Sequence, residues 1–269
     1  MTTPIALSIA GTDPTAGAGV QADLKTFSAL GVYGATVVTA LVAQNTTGVQ
    51  AIEEIRPAFV RAQMDSVFSD LEVAAVKIGM LSQPAVIEAV AAGLAAWQGP
   101  PVVLDPVMVA ASGDPLIADA AVAVLTARLF PRAALITPNL FEAARLLGAE
   151  PAADEAGMVH QGEALLGFGP AAVLVKGGHA SGAEAADVLV RAGRPPAWFR
   201  GPRIATGNTH GTGCTLSSAI TAGLARGLPL DDAVGEAKAF IAAAIAAADR
   251  LTIGRGRGPV HHFHAVWPA

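Results

Sequence analysis

Short runs of apolar residues alternate along the chain with longer segments in which apolar residues recur at the spacing of a helix face. Short apolar runs predict buried strands, and the longer spacing predicts helices with one buried face. The predicted strands are 5–10, 36–43, 73–79, 102–105, 134–137 and 171–176. Several of these strands are apolar on both faces, which is typical of a parallel sheet that helices cover on both sides.

The predicted helices have recognisable ends. Val20, Leu24 and Phe27 lie on one face of the first predicted helix, and Gly31 ends it. Further helices are predicted at 59–71, from Ser82 and Pro84 onward, at 139–148, at 212–225 and at 231–250. Strands that alternate with helices along the whole chain predict an α/β fold with a mostly parallel sheet. The segment 191–207 predicts a hairpin or an extended excursion rather than a boundary, so we expect one domain over residues 1–269.

Composition and charge narrow the class of protein. Hydrophobic residues make up 52% of the 269 residues and charged residues 14%, which excludes a disordered chain. The longest apolar run, 239–248, is about half as long as a membrane-spanning helix requires. The net charge is -5 and no basic cluster is present, so we expect neither a membrane nor a nucleic acid as a partner.

The cysteine content points to a cellular compartment. The single cysteine, Cys214, excludes an internal disulfide and a cysteine-based zinc site. The first residues lack the basic region and the apolar run of a secretory signal. Both observations predict a protein of the reducing cytoplasm.

Two glycine-rich segments follow predicted strands, where sheets of this class bind ligands. The first, 11–19, has neither the Walker A pattern nor the dinucleotide fingerprint. It is therefore interpreted equally well as a ligand-binding loop or as a tight connection between a strand and a helix. The second, 208–215, opens a helix, and its glycines expose backbone N–H groups at the positive end of the helix dipole. Cys214 lies where a helix N-terminus should lower a thiol pKa, unless it is an ordinary buried cysteine.

Polar residues stand at the ends of several predicted strands. Asp105 either caps a loop or binds magnesium, and Asn139 and Glu142 either cap a helix or point to one site. Lys176 precedes two glycines, which allow close approach of a ligand, although a lysine there is usually exposed. Four such residues on one rim, together with an anion-binding turn, indicate a phosphate site.

Three further groups have open interpretations. Asp23 and Gln44 lie near apolar segments, either as satisfied polar groups or as readers of a heterocyclic substrate through paired hydrogen bonds. His261, His262 and His264 suggest a metal by their proximity. We favour no metal there, because no acidic residue accompanies them and the segment has an exposed composition.

With these residues in place, the sequence resembles the hydroxymethylpyrimidine and phosphomethylpyrimidine kinases of thiamine biosynthesis, in the ribokinase-like superfamily. The matching segments are 6–48, 76–81, 103–115, 137–148, 174–179, 208–218 and 253–263. They cover the chain in order, and their combination is specific although no single motif is. The resemblance implies a single three-layer α/β/α domain and a homodimer. It also implies ATP-dependent phosphorylation of 4-amino-5-hydroxymethyl-2-methylpyrimidine, and then of its monophosphate to the diphosphate.

The resemblance further implies roles for individual residues. The residues that would contact the pyrimidine are Gly11, Asp23, Gln44, Met80 and Val107. The implied catalytic set is Cys214, Lys176, Gly211 and Gly213, with 211–214 as the anion hole. The implied ATP and phosphate contacts are Asn139, Lys176, Thr209 and Thr212, and the residues around Mg²⁺ are Asp105 and Glu142. Cys214 replaces the aspartate base of most sugar kinases in the superfamily, and it either takes the alcohol proton or only shapes the anion hole.

Departures from the family pattern leave substrate preference open. Thr12 stands where serine is common, and Ala16 stands where a second glycine is common. The nearest alternative activity is that of a pyridoxal kinase. A lyase that dehydrates hydrated nicotinamide cofactors fits the segments around Gln44 and Met80 less well. A non-catalytic pyrimidine sensor would not be expected to keep all the phosphate-handling residues.

Overall fold

The computed structural model describes residues 2–108, 117–178 and 184–267. Within these ranges the predicted alternation of strands and helices holds in part, because three strands follow one another twice and two helices follow one another twice. The strands are β1 (Ile5–Ala10), β2 (Tyr33–Val38), β3 (Ala40–Asn45), β4 (Gly48–Glu54), β5 (Ala75–Ile78), β6 (Val102–Leu104), β7 (Leu135–Ile136), β8 (Val173–Lys176), β9 (Glu184–Val190) and β10 (Ala197–Pro202). The helices are α1 (Gly19–Ala29), α2 (Pro57–Phe68), α3 (Pro84–Ala96), α4 (Asp119–Arg128), α5 (Leu140–Leu147), α6 (Glu155–Leu166), α7 (Thr212–Ala225) and α8 (Leu230–Ala246). Two parts of the resemblance, 109–115 and His179, lie outside the described residues.

The central sheet has eight strands in the order β10-β9-β8-β7-β6-β5-β1-β2. Neighbouring strands from β2 to β8 are parallel, and β9 and β10 add an antiparallel edge. Val173 and Val175 pack into the core beneath α2 to α6, whereas Leu174 between them packs into the core beneath α7 and α8. Because successive strand residues face opposite sides, the sheet lies between two helical layers. The structure confirms the three-layer α/β/α fold.

A separate two-stranded sheet is formed by β3 and β4, which pair antiparallel. The prediction of one strand over 36–43 was wrong, because this segment crosses from β2 into β3. The chain turns at the buried Thr39, whose backbone N–H donates to the carbonyl of Ala10 (3.0 Å) and whose hydroxyl donates to that of Met80 (3.2 Å). The apolar run continues through this corner, so periodicity alone gave no sign of it.

Most predicted helix ends agree with the structure, and α7 has the predicted bounds. Asn139 and Gly148 bound α5, with Gly148 in the left-handed conformation (φ 62°) that favours glycine at this position. The helix predicted at 231–250 ends earlier, at Ala246, and a short 3-10 turn follows it. The helices α4 and α6 were not predicted. The segment 191–207, where a hairpin or an extended excursion was expected, holds the turn and the second strand of a hairpin, whose first strand, β9, lies before it. Across the described ranges, no helix combines the length and apolar character needed to cross a membrane.

The C-terminal segment 253–262 is tied to the elements that border the sheet's carboxyl edge. The backbone of Gly256 donates to the hydroxyl of Thr46 in the β3–β4 turn (3.1 Å), and that of His210 donates to the carbonyl of Gly258 (3.0 Å). The ring of His262 bonds the hydroxyl of Thr215 in α7 (3.0 Å). The exposure expected around the three histidines was wrong for His261 and His262, which are buried, whereas 253–257 are exposed. Within the described residues, no group of three or more His, Cys, Asp and Glu side chains is arranged to hold a metal ion by itself.

Stability should fall in acid partly through His262. Burial lowers the pKa of His262 to about 3, so its imidazole is neutral in the folded protein. In the unfolded chain it takes a proton below about pH 6.5, so the folded state loses stability as the pH falls from there toward 3. We expect the free energy of unfolding to drop by about 2 kcal/mol more in the wild type than in His262→Gln between pH 7.5 and 5.0. Urea unfolding of both proteins at the two pH values measures this, and equal losses would contradict it.

Candidate active site

A cavity of about 520 Å³ opens at the carboxyl ends of the parallel strands. This is where open sheets of this class bind ligands, and the volume suits a small organic molecule together with part of a second ligand. The lining residues that the sequence singled out are Gly11, Gln44, Met80, Asp105, Val107, Asn139, Glu142, Lys176, Thr209, Gly211, Thr212, Gly213 and Cys214. The fold therefore brings together all of the predicted site residues except Asp23.

One end of the cavity is a slot with apolar walls and one amide. Gly11 lies so close to Met80 that a Cβ on the glycine would be 2.6 Å from the Met80 methyl carbon. Gln44 points to the same side of β3 as the buried Val42, and a β-bulge between Ala43 and Gln44 changes the strand register there. No described residue makes a side-chain hydrogen bond to the Gln44 amide. The slot can hold a flat heterocycle and offers one donor and acceptor pair.

The loop 11–19 borders the cavity and is held in place by Asp13, which is fully buried. Its carboxylate accepts hydrogen bonds from the backbone N–H groups of Thr15 (2.9 Å) and Ala18 (2.8 Å) and bonds the His210 ring (2.7 Å). Burial raises the pKa of Asp13, but the bonds from His210 and Thr15 outweigh burial and lower it to about 2. The loop is thus both a tight connection and an anchor for the turn that precedes α7. Ala16 has a φ of 60°, which explains why glycine suits this position.

Asp23 is the one predicted substrate contact that the structure does not support. It is fully buried and lies outside the cavity lining. Both of its oxygens accept from the ammonium of Lys77 (2.9 and 2.8 Å), and the hydroxyls of Ser8 and Ser218 donate to it. With every one of these bonds satisfied inside the protein, the carboxylate does not face the slot.

The other end of the cavity holds two carboxylates beside one ammonium group. Lys176 donates to Oδ1 of Asp105 (2.8 Å), which also accepts from the Thr137 hydroxyl (2.8 Å). Oε2 of Glu142 lies 4.0 Å from the same ammonium nitrogen. Asp105 and Glu142 supply the hard oxygen ligands that Mg²⁺ prefers, and in phosphoryl-transfer sites one or two carboxylates usually suffice beside the phosphates. The pair fits a magnesium ion.

Burial and charge shift the pKa values of these three groups. Burial raises the pKa of Glu142 to about 7, because the nearby Lys176 offsets only part of the effect and Asp105 adds to it. Burial also raises the pKa of Asp105, but the positive charges of Lys176 and Lys77 outweigh this and lower it. Burial lowers the pKa of Lys176, and the two carboxylates raise it above its ordinary value. Lys176 therefore stays charged beside the two carboxylates.

Asn139 and Glu142 form a capping box at the start of α5. Oδ1 of Asn139 accepts from the backbone N–H of Glu142 (2.9 Å), and Oε2 of Glu142 accepts from the backbone N–H of Asn139 (2.7 Å). Both interpretations of these residues hold, since they cap the helix and also line the cavity. Thr212 donates to the carbonyl of Thr209 (2.7 Å), which shapes the turn before α7.

The turn before α7 has the geometry of an anion site. Gly211 has a φ of 79°, and a Cβ there would lie 1.8 Å from the carbonyl oxygen of Gly17, so only glycine fits. No side chain caps α7, and the N–H groups of Gly213 and Cys214 have no acceptor among the described residues. These donors lie at the positive end of the helix and line the cavity near Lys176. The lowered pKa expected for Cys214 was wrong, since burial raises the pKa of its thiol.

The structure adds charged residues that sequence reasoning missed. Lys77 and Asp187 both line the cavity, and Asp187 accepts from the ammonium of Lys238 on α8 (2.6 Å) and from the backbone of Gly177 (2.9 Å). A lysine inside the apolar run of β5 was a usable sign, because a buried lysine requires a partner. Asp187 and Lys238 gave no sign, since they are 51 positions apart and meet only in the folded chain.

The sequence and the structure both match known kinases over most of the chain. A family model described as phosphomethylpyrimidine kinase matches residues 13–261. A hydroxymethylpyrimidine/phosphomethylpyrimidine kinase of Rhizobium meliloti is 59% identical over 265 residues, which cover 98% of this chain and 99% of that one. Among solved structures, a pyridoxal kinase of Bacillus subtilis in complex with ADP has a TM-score of 0.90 at 36% identity and covers 98% of this chain and 99% of that chain. A phosphomethylpyrimidine kinase of Clostridium difficile has a TM-score of 0.79 at 42% identity and covers 90% of this chain and 99% of that chain.

Proposed function

This chain belongs to the phosphomethylpyrimidine kinase family, and we propose that its cavity carries out that family's reaction with ATP and Mg²⁺. The enzyme is a kinase of thiamine biosynthesis that phosphorylates 4-amino-5-hydroxymethyl-2-methylpyrimidine and then its monophosphate. One observation carries the assignment of the site. The Lys176 ammonium and the uncapped N-terminus of α7 both line a cavity whose far end is an apolar slot with one amide.

The slot suits the pyrimidine ring. Met80 and Val107 provide apolar surface for a flat ring, and the Gln44 amide can pair with adjacent donor and acceptor atoms on the ring edge. The aminopyrimidine offers such a pair in its amino group and ring nitrogen. In this arrangement the hydroxymethyl group points toward 211–214 and Lys176. The acceptor oxygen then lies between the slot and the other end of the cavity, around Lys176, Asp105 and Glu142, which we call the phosphate end.

The opposite wall suits the nucleotide. Ile204 before α7 and Ile241 and Ile245 of α8 line that wall with apolar surface, next to the phosphate end. We assign the phosphates to Asn139, Thr209, Thr212 and Lys176, and Asp105 and Glu142 would hold the magnesium ion. That ion, when bound, neutralises charge on the phosphates. The fit of carboxylates, ammonium and free backbone donors supports ATP as the phosphoryl donor.

The chain's own residues act by position and charge. The hydroxymethyl oxygen forms a bond to the γ-phosphorus of ATP, the bond from that phosphorus to the bridging oxygen breaks, and ADP leaves. Lys176 and the N–H groups of Gly213 and Cys214 stabilise the charge on the transferring oxygens. The hydroxyl proton leaves for the Cys214 sulfur when that group is a thiolate, and for water when Cys214 only shapes the anion hole.

A Cys214→Ser variant separates these two roles. If the sulfur takes the proton, kcat should fall by about 100-fold or more, because a serine hydroxyl is a far weaker base. If Cys214 only shapes the hole, the backbone donors remain and kcat should fall by less than about tenfold. Steady-state kinetics at saturating ATP distinguish the two, with the KM for the pyrimidine as the control for an intact slot.

The proposed activity is tested by a coupled assay of ADP release. Purified protein with ATP and Mg²⁺ is offered the hydroxymethylpyrimidine, its monophosphate or pyridoxal. Turnover of the first two with a lower kcat/KM for pyridoxal supports the proposal. A higher kcat/KM for pyridoxal would make pyridoxal kinase the main activity, an alternative that the likeness to the Bacillus subtilis enzyme favours. The absence of turnover on all three would contradict the proposal.

Gln44 should determine binding rather than the chemical step. We expect Gln44→Ala to raise the KM for the pyrimidine about 10- to 100-fold and to change kcat little, because the amide contacts the ring and not the reacting atoms. Thr47→Ala, in the exposed turn of the same hairpin, is the control and should leave KM near the wild-type value. A Gln44→Ala enzyme with wild-type KM would remove Gln44 from the substrate site.

We further propose that residues 1–269 act as one kinase domain, because the cavity draws its lining from residue 10 to residue 257.

A homodimer is supported by Tyr33, Leu41 and Phe59, large apolar side chains that are at least half exposed around β2, β3 and α2. A cytoplasmic location is supported by the single cysteine and by the use of ATP. Light scattering on the purified protein measures the oligomeric state.

A further inference from the structure

A fully buried ion pair lies beside the cavity floor, and the proposed reaction does not use it. Lys77 of β5 and Asp23 of α1 are both inaccessible to solvent, with their charged atoms 2.8 Å apart. Ser8 of β1 and Ser218 of α7 each donate a further hydrogen bond to Asp23, at 2.5 and 2.7 Å. Four elements of the fold thus meet at this pair.

This pair adds little as a stabilising device alone. Removing two charges from water costs several kcal/mol each, and apolar residues of similar size often stabilise a fold as well or better. The strand that carries Lys77 is otherwise apolar and buried on both faces. A charge kept in such a place calls for a role that an apolar side chain cannot fill.

The position of the pair relative to Cys214 indicates that role. Ser218, which bonds Asp23, is four residues beyond Cys214 in α7 and therefore one helical turn below it on the same face. Lys77 and Cys214 both line the cavity. A Cβ on Gly79 would lie 2.7 Å from the Lys77 nitrogen, so the ammonium packs against the backbone next to Met80, which lines the cavity.

We propose that Lys77 is a positioning residue for phosphoryl transfer, whose buried ammonium group, fixed by Asp23, sets how readily Cys214 gives up its proton. The proposal rests on the proposed function in one respect, namely that Cys214 lies beside the acceptor oxygen. Lys77 itself contacts neither substrate nor the reacting atoms. It acts through the sulfur, and Asp23 limits how strongly it does so.

Several groups around the sulfur shift the pKa of the Cys214 thiol in opposite directions. Burial raises the pKa of the Cys214 thiol, Lys77 lowers it, and the carboxylates of Asp23 and Asp105 raise it. The backbone N–H of Gly19, at the start of α1, donates to the sulfur and lowers the pKa. Lys176, at the end of β8, also interacts with Cys214 through its charge. Of the two cations, Lys77 is bonded to Asp23, whereas Lys176 is bonded to Asp105.

In the reaction, Lys77 would affect one step, the transfer of the hydroxymethyl proton to the Cys214 sulfur. With the sulfur as thiolate, the hydroxymethyl proton moves to sulfur as the oxygen bonds to phosphorus and ADP departs, and the thiol later returns that proton to water. Lys77 keeps its own proton throughout. Its charge lowers the cost of the thiolate before the transfer.

The test uses the fact that Cys214 is the only cysteine in the chain. The rate of alkylation by iodoacetamide, followed by mass spectrometry across pH, reports the thiolate of this residue alone. We expect Lys77→Met to raise the alkylation midpoint by about 1 to 2 pH units and Asp23→Asn to lower it, with the double variant between the two. Equal midpoints, or shifts of the two single variants in the same direction, would overturn the proposal, since a merely structural role does not predict opposite shifts.

Folding is checked in each variant by circular dichroism, because Lys77→Met leaves a buried carboxylate without its cation. If that variant does not fold, Asp23→Asn is compared with the double variant, which differ only at Lys77, and a midpoint no higher in the double variant overturns the proposal. Kinetics supply an independent readout, in which loss of Lys77 lowers kcat and leaves the KM for the pyrimidine near wild type. The alkylation test needs no substrate, so a failure of the proposed function would show in the kinase assay of the wild type and not in the order of midpoints.

Discussion

Replacing Lys176 by methionine is expected to lower kcat about 100- to 1,000-fold while changing the KM for the pyrimidine little. The ammonium group lies at the phosphate end, 2.8 Å from Asp105, and is not part of the slot around Gln44. Its charge acts on the transferring oxygens, whose charge is redistributed in the transition state, so the loss falls on the chemical step. Steady-state kinetics with both substrates varied measure the split.

The removal of this cation also changes the two carboxylates beside it. Lys176 lowers the pKa values of Asp105 and Glu142 against the effect of burial, so without it Glu142 becomes more difficult to ionise. We therefore expect the variant to bind magnesium more weakly, and so to need a higher magnesium concentration, as well as to turn over more slowly. Lys238→Met is the matched control, since Lys238 also lines the cavity and pairs with a buried aspartate, Asp187, rather than with Asp105 or Glu142. It should lower kcat much less than Lys176→Met does. An unchanged kcat in Lys176→Met would exclude this lysine from the transfer step.

The sequence predicted the central sheet well because burial on both faces leaves a strong local signal. The strands β5, β6 and β8 are apolar at nearly every position, and short apolar runs of this kind are typical of strands covered on both sides by helices. The β3–β4 sheet was missed for the opposite reason. In β3 exposed positions alternate with buried or partly buried ones, and β4 has no buried position. The turn at Thr39 interrupts the backbone but not the apolar pattern. Only the hydrogen bonds of the folded chain reveal that corner.

The candidate site, like the fold, could be predicted from the sequence only in part. Polar residues at strand ends were predictable, because parallel strands direct their carboxyl ends to one edge whatever the details of packing. Asp105, Glu142 and Lys176 meet there as expected. The place of Asp23 and the pKa of Cys214 were not predictable. Both depend on Lys77, which lies 54 positions from Asp23 in sequence, and on the depth at which helix packing places the sulfur.

Glycine at position 213 provides the sharpest test of where the phosphoryl group lies. A Cβ on Gly213 would stand 3.3 Å from Oδ2 of Asp105 and 3.4 Å from the Lys176 nitrogen, so a methyl group fits with small adjustments. The residue is helical with an ordinary φ, so alanine adds no backbone strain. The methyl group would nevertheless fill the space between the α7 donors and the ammonium, which the proposed mechanism reserves for the transferring oxygens.

Gly213→Ala should therefore reduce kcat/KM by about 100-fold or more while the free energy of unfolding stays the same or rises by up to about 1 kcal/mol. Gly235→Ala in α8 is the matched control, because its added methyl group would contact only the Phe199 ring at 3.7 Å and lies away from the cavity lining. It should gain similar stability without losing activity. Urea unfolding and the ADP-release assay measure the two quantities on the same samples. A Gly213→Ala enzyme with wild-type kcat/KM would place the transferring phosphoryl group elsewhere in the cavity, whereas lost activity with lost stability would mean that the methyl group disturbs the fold rather than the anion site.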